Sequence, residues 1–213
     1  MTARIGTNMN VAVESGLGSA LTVTAVTKAS PGVATSTAHG LVNGDVVRFT
    51  VSAGMVELDG QVVRVANKTN DTFELEGLDT TDYSTWSAGS AKEITTWATI
   101  ANAQSISMPN PAPNKIETTV LTDKQKQYSY GLADAPDGTI SGLYDPTDAA
   151  IGLIKAASKD NTPLAFRVSW AGGQKTLFNA NVSYGSGFDL QQNQAATMSI
   201  PFTPIKDVMD YAS

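Results

Sequence analysis

Few residues in this chain could carry out chemistry, and the first candidate is a single histidine, His39, in the run Thr37-Ala38-His39-Gly40. A general base or metal ligand needs a carboxylate or a second histidine nearby, and the sequence places neither beside His39. The chain has no cysteine, which excludes disulfides, thiolate chemistry and cysteine-bound metals. We therefore predict that His39 flanks a turn.

Four aspartates that lie close together in sequence, Asp134, Asp137, Asp145 and Asp148, are the second candidate, because Ca²⁺ prefers carboxylate oxygens on a loop. Their spacing matches no EF-hand loop, and turn and helix-start chemistry accounts for Asp137-Gly138 and Asp145-Pro146. No nucleophile elbow of the G-x-S-x-G type occurs. We predict no metal, no cofactor and no enzymatic activity.

The charge of the chain is acidic and evenly spread. The net charge is −6, of which residues 27–92 carry −3 and the remainder −3. Neither part shows the basic stripe of a protein that grips nucleic acid, although such a surface would suit a conduit past which DNA slides. The longest apolar runs reach four or five residues, so we expect no membrane segment and no Sec export.

Alternation of apolar and polar residues, punctuated by Gly, Asn and Asp, predicts a mainly β protein. The predicted strands are 21–26, 33–37, 45–51, 61–66, 72–75, 94–106 with a bulge near Asn102, 115–121, 139–143, 164–170, 175–184 and 196–205. Asp123–Tyr130 is predicted to be an exposed loop, and the prolines of 196–205 suit an edge strand or a strand end.

One helix is predicted, and the fold class follows from it. It starts at Pro146 or Thr147, has Asp148 at its positive end and stops before Asp160, with Ile151 and Ile154 on one face. The fold class is therefore a β-sandwich or half-barrel with one packed α-helix, plus an inserted small β-barrel-like module.

The predicted domain organisation is a host domain, residues 1–26 and 93–213, interrupted by a module, residues 27–92. The module is dense in turn signals such as Asn43-Gly44 and Asp59-Gly60. Residues 1–19 are rich in Gly, Ser and Asn, and we expect an extended arm that only a partner orders. Residues 206–213 are expected to be a short tail.

The host part resembles the major tail tube protein family of long-tailed, non-contractile bacteriophages (siphophages). The resemblance covers roughly 21–26 and 93–205. It rests on Glu117-Thr118-Thr119 before a polar loop, on the helix start Tyr144-Asp145-Pro146, and on a hairpin with Phe166-Arg167-Val168 and Leu-Phe-Asn-Ala-Asn-Val at 177–182.

The module is similar to a small β module that recurs in phage structural proteins and to the first catalytic-cysteine half-domain of ubiquitin-activating enzymes. The residues that carry this likeness are Ser30-Pro31-Gly32, Thr37-Ala38-His39-Gly40-Leu41, Asn43-Gly44-Asp45-Val46-Val47 and Asn70-Asp71-Thr72-Phe73-Glu74-Leu75. Because the chain has no cysteine, no ubiquitin chemistry follows.

The resemblance implies a structural virion protein. Its homo-hexameric rings would stack into a helical tube with other tail proteins at the tube ends, the module outside and an acidic lumen, through which DNA passes during ejection without tight binding. Assembly would take place in the host cytoplasm. The implied inter-subunit contacts are Arg4, Ile5, Asp123, Lys124, Lys126, Tyr128, Tyr130, Lys206, Asp207 and Tyr211.

Two alternatives stay open at this stage. A carbohydrate- or cell-surface-binding β protein would use Trp86, Trp97 and Tyr83 as a stacking platform. A glycosidase would need two carboxylates facing a cleft, and because the Asp and Glu residues lie mostly in turns it ranks last.

Overall fold

The computed structural model describes residues 9–109, 111–122, 124–133, 135–185, 187–189 and 191–212. Within them lie sixteen strands and one α-helix. In chain order they are β1 (Asn10–Val23), β2 (Ala25–Val26), β3 (Val33–Thr35), β4 (Val46–Ala53), β5 (Val62–Ala66), β6 (Thr72–Leu75), β7 (Ala88–Thr99), β8 (Ala103–Ser107), β9 (Lys115–Glu117), β10 (Tyr128–Tyr130), β11 (Gly138–Leu143), α1 (Ala149–Asp160), β12 (Leu164–Ser169), β13 (Lys175–Val182), β14 (Phe188–Asp189), β15 (Thr197–Pro204) and β16 (Met209–Tyr211).

The host part is an antiparallel sheet that folds over on itself as a sandwich, as predicted. Its strands follow the order β7-β1-β12-β13-β15-β11-β8. The rings of Phe166, Phe178 and Phe202 stack in its interior, with centroids 5.3 to 5.8 Å apart. Because Phe166 of β12 contacts Phe202 of β15 with β13 between the two strands, the sheet must curl to bring them together.

Helix α1 closes the interior of the sandwich. Its buried face is Ala150, Ile151, Ile154 and Ala157, which join the core of the sandwich. Asp148 caps its first turn by accepting a hydrogen bond from the backbone N–H of Ala150. The predicted helix and its two isoleucines are confirmed.

The strands of residues 10–99 form a closed small barrel beside the sandwich. Pairing runs from β2 through β3, β6, β5, β4 and β7 to β1, and β1 continues directly into β2. Its interior is a separate apolar cluster that includes Phe49, Phe73, Trp86 and Leu75. Strand β7 runs unbroken across the predicted boundary between 92 and 93, so whether 27–92 folds as a unit of its own stays a prediction.

The barrel packs on the outer face of the sandwich. Val46 and Val62 of the barrel meet Ala165 and Leu177 of the sheet, all within one buried cluster. Asn179 Nδ2 also donates a hydrogen bond to the Gly60 carbonyl over 2.8 Å. One outer face of the sheet is thereby covered.

Two predictions about the ends of the chain are wrong. Residues 10–19 are not an arm, because β1 lies between β7 and β12 and Val11, Ala12 and Val13 are buried. The tail contains β16, which pairs with β13. Both segments have weak local signals, and strand partners distant in sequence order them.

Three other predictions about strands and loops differ from the structure. The predicted strand 94–106 is two strands, β7 and β8, because the chain turns at 100–102 and pairs β8 with β11. The predicted loop 123–130 ends in β10. Strand β15 is not an edge strand, because it lies between β13 and β11 with Pro201 opposite Thr139, while Pro204 is at its end.

Candidate assembly surfaces

His39 lies inside the barrel, where its ring packs and forms hydrogen bonds with the backbone. Its ring is buried edge-on to Phe73, Nδ1 accepts a hydrogen bond from the Leu41 N–H over 3.1 Å, and Nε2 lies 3.3 Å from the Thr72 carbonyl. Both ring nitrogens are therefore engaged by backbone. In the part of the chain that the structure describes, no group of three or more His, Cys, Asp or Glu residues could hold a metal.

The described aspartates of the acidic cluster serve turns and the helix cap. Asp137 accepts a hydrogen bond from Thr203 Oγ1, and Asp148 accepts from Ala101 as well as from Ala150. Hydrogen bonds from the Thr147 side chain and backbone lower the pKa of Asp145. Asp134 lies outside the described residues. Turn and helix-cap contacts therefore engage Asp145 and Asp148, and residues distant in sequence also bond to Asp137 and Asp148.

The three aromatic residues considered for glycan stacking do not form an open platform. Trp86 is buried, and its Nε1 donates to the Val23 carbonyl. Trp97 is covered by the guanidinium of Arg167, 4.6 Å from the ring centroid. Tyr83 packs against the barrel core. The structure gives the stacking interpretation no support, because Trp86 is buried and the other two rings pack partly within the chain.

An exposed hairpin, β9–β10, is the clearest candidate assembly surface. Tyr128, Ser129 and Tyr130 pair with Glu117, Ile116 and Lys115, and every residue of both strands is exposed. Lys126 and Glu117 form an exposed ion pair over 3.2 Å. Such surface pairs add little to stability, so the hairpin is not held mainly by charge.

Apolar side chains crowd this hairpin and the segments next to it. Leu121 is fully exposed, Leu132 is 91% exposed and Tyr130 66% exposed, with Ile116 and Tyr128 about half exposed. The β9–β10 register places Tyr128 and Tyr130 on one face of the hairpin and Ile116 on the other, and exposed apolar side chains concentrated in one segment indicate an interaction site. Sequence reasoning selected the tyrosines and lysines but missed Ile116, Leu121 and Leu132. Ile116 and Leu121 were assigned only to the predicted strand 115–121, and Leu132 lay in no predicted strand.

Apart from Tyr211, the candidate contact residues named from the sequence fall into three groups. Lys124, Lys126, Tyr128 and Tyr130 belong to the exposed hairpin segment. Lys206 Nζ donates to the carbonyls of Val56 and Glu57, and the Asp207 carbonyl accepts from Gln61, so both residues join the host to the barrel. Arg4, Ile5 and Asp123 lie outside the described residues.

Tyr211 is buried between barrel and sheet. Its hydroxyl accepts a hydrogen bond from the Arg64 N–H over 3.0 Å, and the Arg64 guanidinium lies 4.7 Å from its ring centroid. Burial raises the pKa of Tyr211 to about 12. Its ring has no surface left to offer a neighbouring subunit, so we leave it out of the contacts proposed below.

Strand β8 forms an edge of the sandwich. It pairs with β11 on one side, and no other described strand pairs with it. Strand β7 pairs with β4 only up to Glu93, so Thr95 to Thr99 also lack a described partner on that side. Unpaired edges of this kind accept strands from another chain.

The described chain has no helix with the length and apolar character needed to span a membrane. A family model described as phage tail tube protein, TTP, matches residues 53–213. The matched range starts at the end of β4, so it includes part of the barrel as well as the sandwich from β7 onward. A search of curated proteins found no match.

Proposed function

Because the chain belongs to the phage tail tube protein family, we propose that it is the subunit of hexameric rings that stack into the tube of a long non-contractile tail and conduct DNA during ejection. Family membership makes it a structural, non-enzymatic component of the virion tail that self-assembles with other tail proteins. Assembly in the host cytoplasm before incorporation into the virion is part of the proposal.

The observation that carries the proposal is the β9–β10 hairpin. Its apolar side chains, and Leu121 in the adjoining loop above all, stay exposed among the described residues. Burial of apolar surface contributes roughly 25 cal/mol per Å², so covering the hairpin with a second copy favours association. The hairpin is therefore the proposed contact between successive rings.

Ring closure has a separate basis in the strand edges. Among the described strands, β8 and the Thr95–Thr99 part of β7 each lack a hydrogen-bonded neighbour on one side. Closing a sheet around a ring removes such edges, as it does in any barrel. Lys124 and Lys126 add positive charge to an acidic subunit, and they would steer the hairpin towards an acidic surface of the next copy.

Electron microscopy of the purified protein, with sedimentation velocity, tests this function. We expect rings or tubes of uniform diameter. The variant Leu121→Ser should remain folded but lose tubes, because it removes the most exposed apolar side chain of the hairpin. The matched control is Val56→Ser, which changes a 61% exposed valine on the barrel and should keep tubes.

A monodisperse monomer at every concentration would contradict the proposal. Equal loss of tubes in Leu121→Ser and Val56→Ser would contradict the assigned role of the hairpin while leaving the tube itself in place.

A further inference from the structure

We infer that DNA in the tube meets the hydroxyl-bearing outer face of strands β8, β11 and β15, here termed the hydroxyl face; this inference rests on the proposed tube function. The members of the hydroxyl face are Ser105, Ser107, Thr139, Ser141, Thr197, Ser199 and Thr203, together with the apolar Leu143 and Pro201.

The pleat of the three strands places these residues on one side. Ser105, Ser141 and Ser199 lie in one cross-strand row, and Ser107, Thr139 and Pro201 lie in the next. The alternate residues, among them Ile140 and Ile200, point into the sandwich core and are fully buried. The hydroxyl face is therefore the outer surface of this half of the sandwich.

The opposite outer face of the sandwich is occupied. Ala165 and Leu177 have no exposed surface, because Val46 and Val62 of the barrel cover them. A folded barrel projecting into the channel of a tube would obstruct it. The covered face must then point away from the axis, which leaves the hydroxyl face as the sheet surface that can line the channel.

The charge of the strands supports the same orientation. No residue of β8, β11 or β15 is charged. By contrast, each of the other long host strands carries at least one charge: Glu14 in β1, Lys92 and Glu93 in β7, Arg167 in β12 and Lys175 in β13. These three strands themselves therefore offer no charged side chain to the channel.

A hydroxylated surface whose strands carry no Lys or Arg suits a channel through which DNA must move. Duplex DNA binds proteins mainly because Lys and Arg replace its condensed counterions, and the hydroxyl face offers no cation for that exchange. Serine and threonine hydroxyls also form hydrogen bonds with water, so the surface of the channel stays hydrated. The resemblance implied an acidic lumen. Asp189, which lies opposite Thr197, and Asp137, which accepts a hydrogen bond from Thr203, add negative charge to this face, in keeping with that expectation.

Single-cysteine labelling tests the orientation, because the chain has no cysteine of its own. Ser199→Cys places a thiol on the hydroxyl face, and the matched control Asn70→Cys places one on an exposed turn of the barrel. Each variant is assembled into tubes, checked by electron microscopy, and treated with either N-ethylmaleimide or a maleimide on a long polyethylene glycol chain.

We expect both thiols in tubes to react with N-ethylmaleimide, since both face water. The polyethylene glycol reagent should label Ser199→Cys at least about tenfold more slowly than Asn70→Cys, because access limits thiol reaction inside a channel. Both variants should react with both reagents when unassembled. Ser141→Cys, in the same row, serves as a second variant if Ser199→Cys does not assemble.

Equal labelling by the long reagent would place the hydroxyl face outside the tube and overturn the inference. Protection from both reagents would place it in a contact between subunits and overturn it too. In either case tubes are present, so the proposed function survives. Absence of tubes in the unmodified protein overturns the proposed function and the inference with it.

Discussion

Glu14 of β1 and Arg48 of β4 form a largely buried ion pair, in which Arg48 Nη1 donates to Glu14 Oε1. Arg48 also donates to the Pro163 carbonyl over 3.3 Å, at the start of β12. The pair therefore joins the barrel to the sandwich at the point where β1 passes from one to the other. Glu14 Oε2 is buried and has no hydrogen-bond partner.

Removing the cation of this pair should destabilise the protein. Arg48→Met leaves the Glu14 carboxylate buried without its counter-charge, and we expect the free energy of unfolding to fall by about 3 kcal/mol. The measurement is urea unfolding of the unassembled protein. The double variant Glu14→Gln/Arg48→Met should lose clearly less, because no charge is left unpaired. A double variant as unstable as Arg48→Met would show that lost packing, rather than the stranded charge, is the cause.

The stability of the protein should depend on pH through Glu14. Burial raises the pKa of Glu14, and this outweighs the opposing effect of Arg48. The unfolded chain then releases this proton at a lower pH than the folded chain does. Between the two pKa values the folded state holds more protons, so the contribution of Glu14 to stability falls as the pH rises through that window.

Glu14→Gln removes this titration and provides the reference. The free energy of unfolding of the wild type, minus that of Glu14→Gln, should decrease as the pH rises from about 4, the ordinary value for glutamate. Urea unfolding at a series of pH values measures the difference. A difference that stays constant from acid to neutral pH would refute the role of Glu14.

Gly138 is required by the packing of the core. It lies opposite Phe202 in the β11–β15 register, and a Cβ added at position 138 would collide with the Phe202 ring. We expect Gly138→Ala to lower the free energy of unfolding by about 2 kcal/mol, since the ring must leave its stack with Phe166 and Phe178.

The matched control for this substitution is Gly152→Ala. Gly152 lies on the exposed side of α1, where an added Cβ meets nothing within 4 Å. Alanine is the better helix former, so this variant should gain up to about 0.8 kcal/mol. Thermal or urea unfolding of both variants measures the contrast, and a Gly138→Ala protein as stable as the wild type would contradict the packing argument.

Local signals in the sequence were sufficient for the elements that depend on near neighbours. Asp148 before an Ala- and Ile-rich run predicted α1, and Asn43-Gly44 predicted the turn at which Gly44 adopts a φ of 98°. Strand β6 was predicted with its observed bounds. In each case the decisive interactions are a cap, a turn or an alternation within a few residues.

The chain by itself determined a mainly β protein with one capped helix and no grouping of catalytic residues, because alternation, turns and caps are local properties. Only the tertiary structure decided that Gly- and Ser-rich residues 10–19 become a strand, that Tyr211 is buried, and that the barrel covers one face of the sandwich and leaves the hydroxyl face open. Those outcomes depend on partners far away in sequence, such as β12 for β1 and Arg64 for Tyr211. No local pattern encodes such pairings, since hydrogen-bond partners and apolar cover become available only when the whole chain has folded.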